Sequence, residues 1–98
     1  MMEGVDRLER QEITSRLRGL VIVMDDRLSS RDLVFIAEFL DVGELELALE
    51  QMTFALCEDE MPVVQTERAD MLALAKRMGL GSGVSSALQL CPERPERQ

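Results

Sequence analysis

Apolar residues recur at three- and four-residue steps along this chain, and each such stretch ends at a residue that stops a helix. The clearest stretch runs from Glu44 to Glu58, between Gly43 and Pro62. Its inward-facing positions are Leu45, Ala48, Leu49, Met52, Ala55 and Leu56, with Leu47 and Phe54 widening the stripe. Because this spacing places side chains on one face of a helix, the pattern predicts an all-α fold.

The same reasoning divides the whole chain into helices. We predict them at Val5 to Met24, Ser30 to Asp41, Glu44 to Glu58 and Thr66 to Met78, with a short fifth around Val84 to Cys91. In the second, Glu38 and Asp41 are the only polar residues after Asp32, so we expect this helix at the centre of the bundle.

These helices fit one domain. We predict a compact bundle of four main helices with a short fifth C-terminal helix, occupying residues 1–91. Residues 92–98 repeat Pro-Glu-Arg and have nothing to bury, so we expect a disordered tail.

Composition argues against catalysis and metal binding. The chain contains no histidine, the commonest general base and metal ligand. Its two cysteines, Cys57 and Cys91, are far apart in sequence, and Gly81 to Gly83 lacks the preceding strand of a phosphate-binding loop. We therefore expect no enzymatic activity, no cofactor and no metal.

The sequence also indicates a cytoplasmic protein without a membrane span. The longest apolar run, Leu20 to Met24, is far shorter than the ~20 residues that cross a bilayer. Residues Met1 to Arg18 are charged throughout, unlike a signal peptide. In such a compartment Cys57 is expected to act as a small apolar residue rather than in a disulfide.

Charge is distributed unevenly. The net charge is -8, yet the segment Asp32 to Glu67 holds ten acidic residues and no lysine or arginine, whereas the remainder, with nine acids and eleven bases, sums to +2. Nucleic acid and anionic lipid would repel this segment, and a basic protein surface would attract it. We therefore expect a protein partner with a basic surface, and neither nucleic acid nor membrane.

The candidate partner-binding residues follow from this charge and from helical facing. The acidic ones are Glu38, Asp41, Glu44, Glu46, Glu50, Glu58, Asp59 and Glu60. Charge alone does not give tight binding, so apolar anchors are needed at the centre of the surface. Met61 and Val63 are the candidates, and Phe54 is a third whose more natural place is the core.

The acidic region also resembles a known family. The segment EFLDVGELELALE from Glu38 to Glu50, then EMPV from Glu60 and LAKRMGL from Leu74 to Leu80, is similar to the MafI-type immunity proteins of bacterial polymorphic toxin systems. The resemblance implies a compact helical protein that binds and neutralises a cognate secreted toxin domain. Many such toxins act on nucleic acid and carry a basic cleft, which an acidic helical surface would complement.

A second class of function stays open on the sequence alone. The apolar second helix would also suit an acidic helical adaptor or regulatory subunit that self-associates. We expect either a monomer, which would leave the first interpretation ahead, or a homodimer, which would favour the second.

Overall fold

The computed structural model describes residues 2–95, with side chains from Arg7 onward, and these form five helices. They are α1 (Met2–Met24), α2 (Ser30–Asp41), α3 (Leu45–Glu58), α4 (Gln65–Arg77) and α5 (Gly83–Gln89). Within the described range no strand forms, and one isolated bridge joins Val63 to Glu93. This confirms the all-α bundle of four main helices with a short fifth.

The central element is α3 rather than α2. It packs against α1, α2, α4 and α5, and all six of its predicted inward positions are buried. In α2 only Ile36 and Leu40 are buried, while Val34 and Phe35 lie on the surface. The expectation of a central α2 is therefore wrong. A helix that packs mainly on one neighbour has one buried face, so an apolar surplus on it stays exposed.

The ends of α2 follow the sequence signals closely. The hydroxyl of Ser29 accepts a hydrogen bond from the Asp32 amide at 3.0 Å, which caps the first turn. At the other end Gly43 has φ 79, and the Glu44 amide donates to the Phe39 carbonyl at 2.8 Å. Glycine tolerates this left-handed conformation, so the chain can reverse into α3.

A buried ion pair fixes the start of α4. Arg27, which follows α1, donates two hydrogen bonds of 2.8 Å to the two carboxylate oxygens of Glu67. The Val64 amide donates to the same carboxylate at 3.0 Å, so Val64 is the N-cap residue rather than the predicted Thr66. A side chain in the first turn thus satisfies the amide that precedes the helix.

The C-terminal segment packs more closely than expected. Arg68 of α4 donates to the carbonyls of Leu88 and Cys91, which holds the end of α5. Beyond it, the Val63 amide donates to the Pro92 carbonyl at 3.0 Å, and the Arg94 amide donates to the Val63 carbonyl at 2.9 Å.

Residues 92–95 therefore differ from the prediction of a disordered tail. Their side chains are exposed, as the lack of apolar residues implied, but their backbone is held by Val63. Pairing of backbone groups does not depend on side-chain type, so composition did not signal it. Residues 96–98 lie outside the described residues.

The Arg27–Glu67 pair predicts a specific loss of stability in acid. The Arg27 guanidinium holds the pKa of Glu67 below its ordinary value of 4.5, against the opposing effect of burial. Because the folded-state pKa is lowered, the contribution is complete above the unfolded pKa and is lost as pH falls through the folded pKa. We expect Glu67→Gln to lower the free energy of unfolding by about 3 kcal/mol at pH 7, and to flatten its acid dependence.

Urea unfolding followed by circular dichroism measures this change, since the chain has no Trp or Tyr for fluorescence. The matched control is Asp41→Asn, which removes the exposed pair of Asp41 with Arg18 (3.1 Å) and should change stability by at most about 1 kcal/mol. Equal effects of the two variants would show that the buried pair contributes no more to the free energy of unfolding than the exposed pair.

Candidate protein-binding surface

The outward face of α3 combines apolar and acidic side chains. Leu47, Glu50, Phe54 and Glu58 follow one another at steps of three and four residues, so they form one stripe along the helix. Leu47 is 43% exposed and Phe54 is 46% exposed, although both belong to α3, the most central helix of the core. We call this stripe, together with Asp59 and Glu60, the α3 face.

The two large apolar residues of the α3 face are not packing faults of a loose core. The opposite side of α3 is fully buried, and its Met52, Leu49 and Leu56 have no exposed surface. The Phe54 ring lies beside Gly83 at the start of α5, where the position of a β-carbon would be 3.8 Å from the ring. Exposed large apolar side chains bordered by polar ones have the arrangement of a protein interface, which has an apolar centre and a polar rim.

Two acidic residues near the α2–α3 turn, Asp41 and Glu46, form ion pairs with arginines of α1. Arg10 contacts the Glu46 carboxylate at 3.3 Å and donates to the Gly43 carbonyl at 2.9 Å. Arg10 also lowers the pKa of Glu46 by hydrogen bonding. Arg18 pairs with Asp41 at 3.1 Å. The segment is thus one-signed in sequence, but at this end the charges of Asp41 and Glu46 are compensated in space.

The other predicted acidic residues keep their charge uncompensated. Glu38, Glu44, Glu50, Glu58, Asp59 and Glu60 make no ion pair with any residue in the range 7–95. Four of these six belong to the α3 face, and three are consecutive at its C-terminal end. The negative potential is therefore concentrated at the C-terminal end of α3. This is about one helix length from the turn where α1 compensates Asp41 and Glu46.

The C-terminal end of α3 carries a conformational cost as well as a charge cost. The helix closes with bonds from the Glu60 amide to Cys57 and from the Met61 amide to Leu56, while Glu60 has φ 50. The same pattern closes α2 at Gly43 and α4 at Gly79, where the residue is glycine. A glutamate in this conformation is strained, and anions at a helix C-terminus oppose its dipole.

The predicted apolar anchors have different places. Val63 is completely buried and pairs through its backbone, so it cannot contact a partner and that assignment is wrong. Met61 is partly buried against the core and only borders the surface. Phe54, whose more natural place we expected to be the core, is exposed instead. The sequence signal for this was present, because Leu47 and Phe54 made the apolar stripe wider than one buried face requires.

Reactive thiols, metal-ligand clusters and membrane-spanning helices are other features that could indicate a function in the described part of the chain. Cys57 and Cys91 are free thiols, and burial raises the pKa of Cys91, which keeps that thiol neutral. Among residues 7–95 no three potential metal ligands come together. None of the described helices is long and apolar enough to cross a bilayer.

Comparisons of the chain with family models, with curated proteins and with solved structures gave no match. Functional inference therefore depends on the surface itself.

The strain at Glu60 gives a direct test. Glycine at this position should raise the free energy of unfolding by about 1 kcal/mol, since it removes both the left-handed strain and one anion from the helix end. The control is Gly79→Ala, which introduces a β-carbon at the equivalent position of α4 and should destabilise by a similar amount, although no atom lies within 4 Å of it. Urea unfolding of both variants measures the two effects, and a destabilised Glu60→Gly would contradict the assignment of strain.

Proposed function

We propose that this protein is an immunity protein that acts in the cytoplasm, where it binds and neutralises a cognate toxin domain through the α3 face. The observation that carries the proposal is the concentration of uncompensated charge and exposed apolar area on that face. Glu50, Glu58, Asp59 and Glu60 surround or follow Leu47 and Phe54. The resemblance of this region to MafI-type immunity proteins supports the same conclusion.

The cost to stability at the C-terminal end of α3 is a second support. A neutral residue before the turn and a glycine at position 60 would suit the fold better, as the ends of α2 and α4 illustrate. Strain that the fold does not require is often retained for function. Here the feature retained is a group of three carboxylates, which is what a basic partner would contact.

The mechanism has two parts with different physical roles. The carboxylates attract the basic surface of the toxin and speed association, an effect that weakens as salt rises. Leu47 and Phe54 then lose their water against apolar side chains of the toxin, which slows dissociation. Protection of a cell requires a dissociation constant of about nanomolar or lower, which is roughly -12 kcal/mol, and both contributions are needed to reach it. Occupation of a basic catalytic cleft would exclude nucleic acid.

The first experiment tests the class of function. The toxin domain encoded by an adjacent reading frame is expressed with and without this chain, and survival is scored. We expect rescue, together with a stable complex of the purified proteins. Continued lethality and no complex would exclude the immunity function for that pair.

The second experiment tests the surface. Glu58→Lys should slow association with the toxin domain about tenfold at low salt and by less at high salt. Asp25→Lys is the matched control. Asp25 lies at the C-terminal end of α1 as Glu58 lies at that of α3, and it is exposed and has no ion pair among the described residues. Stopped-flow mixing measures both rates, and equal slowing by the two variants would place the docking surface elsewhere.

Glu46, one of the predicted partner-binding residues, is unsuitable as a probe of the surface. Its carboxylate contacts Arg10 and is half-buried, so a lysine there would face a guanidinium. A third variant, Phe54→Ser, should leave association nearly unchanged and speed dissociation about tenfold or more. Surface plasmon resonance separates the two rates, and an unchanged dissociation rate would remove Phe54 from the interface.

One observation favours the alternative, an acidic helical adaptor or regulatory subunit. Val34 and Phe35 are exposed on α2, with the Arg31 guanidinium 5.6 Å from the centre of the Phe35 ring. An adaptor that self-associates through α2 would bury them, and Val34→Glu would then dissociate it. Unchanged mass of that variant by light scattering would leave the immunity function as the better interpretation.

A further inference from the structure

A groove of about 620 Å³ lies between α1 and α4, away from the α3 face. The two helices run antiparallel. They do not pack closely along their length, since α1 and α4 are not one of the helix pairs in close contact. Ion pairs hold them at both ends, with Arg27 and Glu67 at one end and Arg77 with Glu12 (2.9 Å) at the other. The open width between these ends is therefore fixed by the fold.

The lining of the groove is mainly apolar. Its floor and walls include Gly19, Leu20 and Val23 from α1, Val64 from the preceding loop, and Ala73 and Leu74 from α4. Val23 is 54% exposed, and its neighbour Ile22 is 72% exposed on the adjoining surface of α1. Gly19 has no side chain to fill the space, and a β-carbon there would meet no atom within 4 Å.

The charges around the groove select its occupant. Along its lining Glu67 is held by Arg27, and Arg77 by Glu9 and Glu12, so Arg16 and Asp70 are the two opposite charges left to face the groove, although the chain as a whole carries -8. Two copies of so acidic a protein repel each other through most of their surface, and contact through α2 would bring together the uncompensated Glu38 of both copies. The α1–α4 side lacks this repulsion.

We propose that the groove receives α1 of a second copy, which makes the protein a two-fold symmetric dimer. In an isologous contact every residue is used twice, so α1 can supply both the occupant and one wall of the groove. Val23 and Ile22 of each copy enter the groove of the other beside Gly19. Arg16 on α1 and Asp70 on α4, which has no ion pair among the described residues, form the polar rim across the interface.

This dimer leaves the α3 face free, because the groove and that face share no residue. The proposal goes beyond the neutralisation of a toxin and does not depend on it. A dimer would present two copies of the α3 face and bind two toxin domains.

Sedimentation equilibrium of the purified chain tests the proposal. We expect a mass of twice 11.1 kDa at micromolar concentration, and a single species of 11.1 kDa up to several hundred micromolar would overturn it. A monomer would leave the groove to a helix of some other protein.

Three variants locate the interface. Gly19→Glu and Ile22→Glu should each raise the dissociation constant of the dimer about tenfold or more, because each places a carboxylate in the contact. Gly19→Ala fits the open space and should retain the dimer while favouring the helix.

The control is Leu8→Glu, which places the same charge on α1 at a residue that is 69% exposed and does not line the groove. Circular dichroism confirms that each variant is folded. A dimer that resists both groove variants, or that Leu8→Glu weakens equally, would overturn the assignment of the groove.

Discussion

The buried pair of Arg27 and Glu67 joins more parts of this fold than any other polar contact described. One guanidinium nitrogen also donates to the Pro62 carbonyl at 2.9 Å and the other to the Val23 carbonyl at 3.3 Å. The carboxylate, besides meeting Arg27, accepts from the Val64 amide. The end of α1, the loop after α3 and the first turn of α4 therefore meet at one ion pair. A pair buried in this way is favourable only when most of its hydrogen-bonding capacity is used, and in this pair only the Arg27 Nε lacks a hydrogen bond, although it lies 3.6 Å from the Asp26 carboxylate.

That pair also explains why the surface charge could not be read from the sequence alone. The acidic segment ends at Glu67, which contributes nothing to the surface because its charge is buried against Arg27. Asp41 and Glu46 are similarly compensated by arginines of α1 that lie far away in sequence. A local excess of acid is visible in any window of sequence, whereas its cancellation depends on which helices become neighbours. The uncompensated part is smaller than the sequence indicated, and it is placed more narrowly.

The helices themselves were largely predictable. The bounds of α2 follow from Ser29 and Gly43, and the buried stripe of α3 follows from its spacing, because both signals act within one or two turns. The central place of α3 was not predictable, since apolar content alone made α2 the better candidate. The expectations for Val63 and Phe54 failed for a related reason, since Val63 is buried and Phe54 is exposed. Burial in a loop is decided by tertiary packing, and a helix with more apolar residues than one face can bury must expose some of them.

The resulting molecule has two surfaces of different electrostatic character, the α1–α4 side and the α3 face. Most arginines of α1 and α4 are engaged with acids, either across the bundle or along the groove, which leaves the α1–α4 side close to neutral. The charge that remains is carried by Glu38, Glu44 and the α3 face. The proposed toxin contact and the proposed dimer contact both depend on this separation, because one surface cannot serve both contacts. The same internal ion pairs that hold the helices together thus determine where net charge remains on the surface.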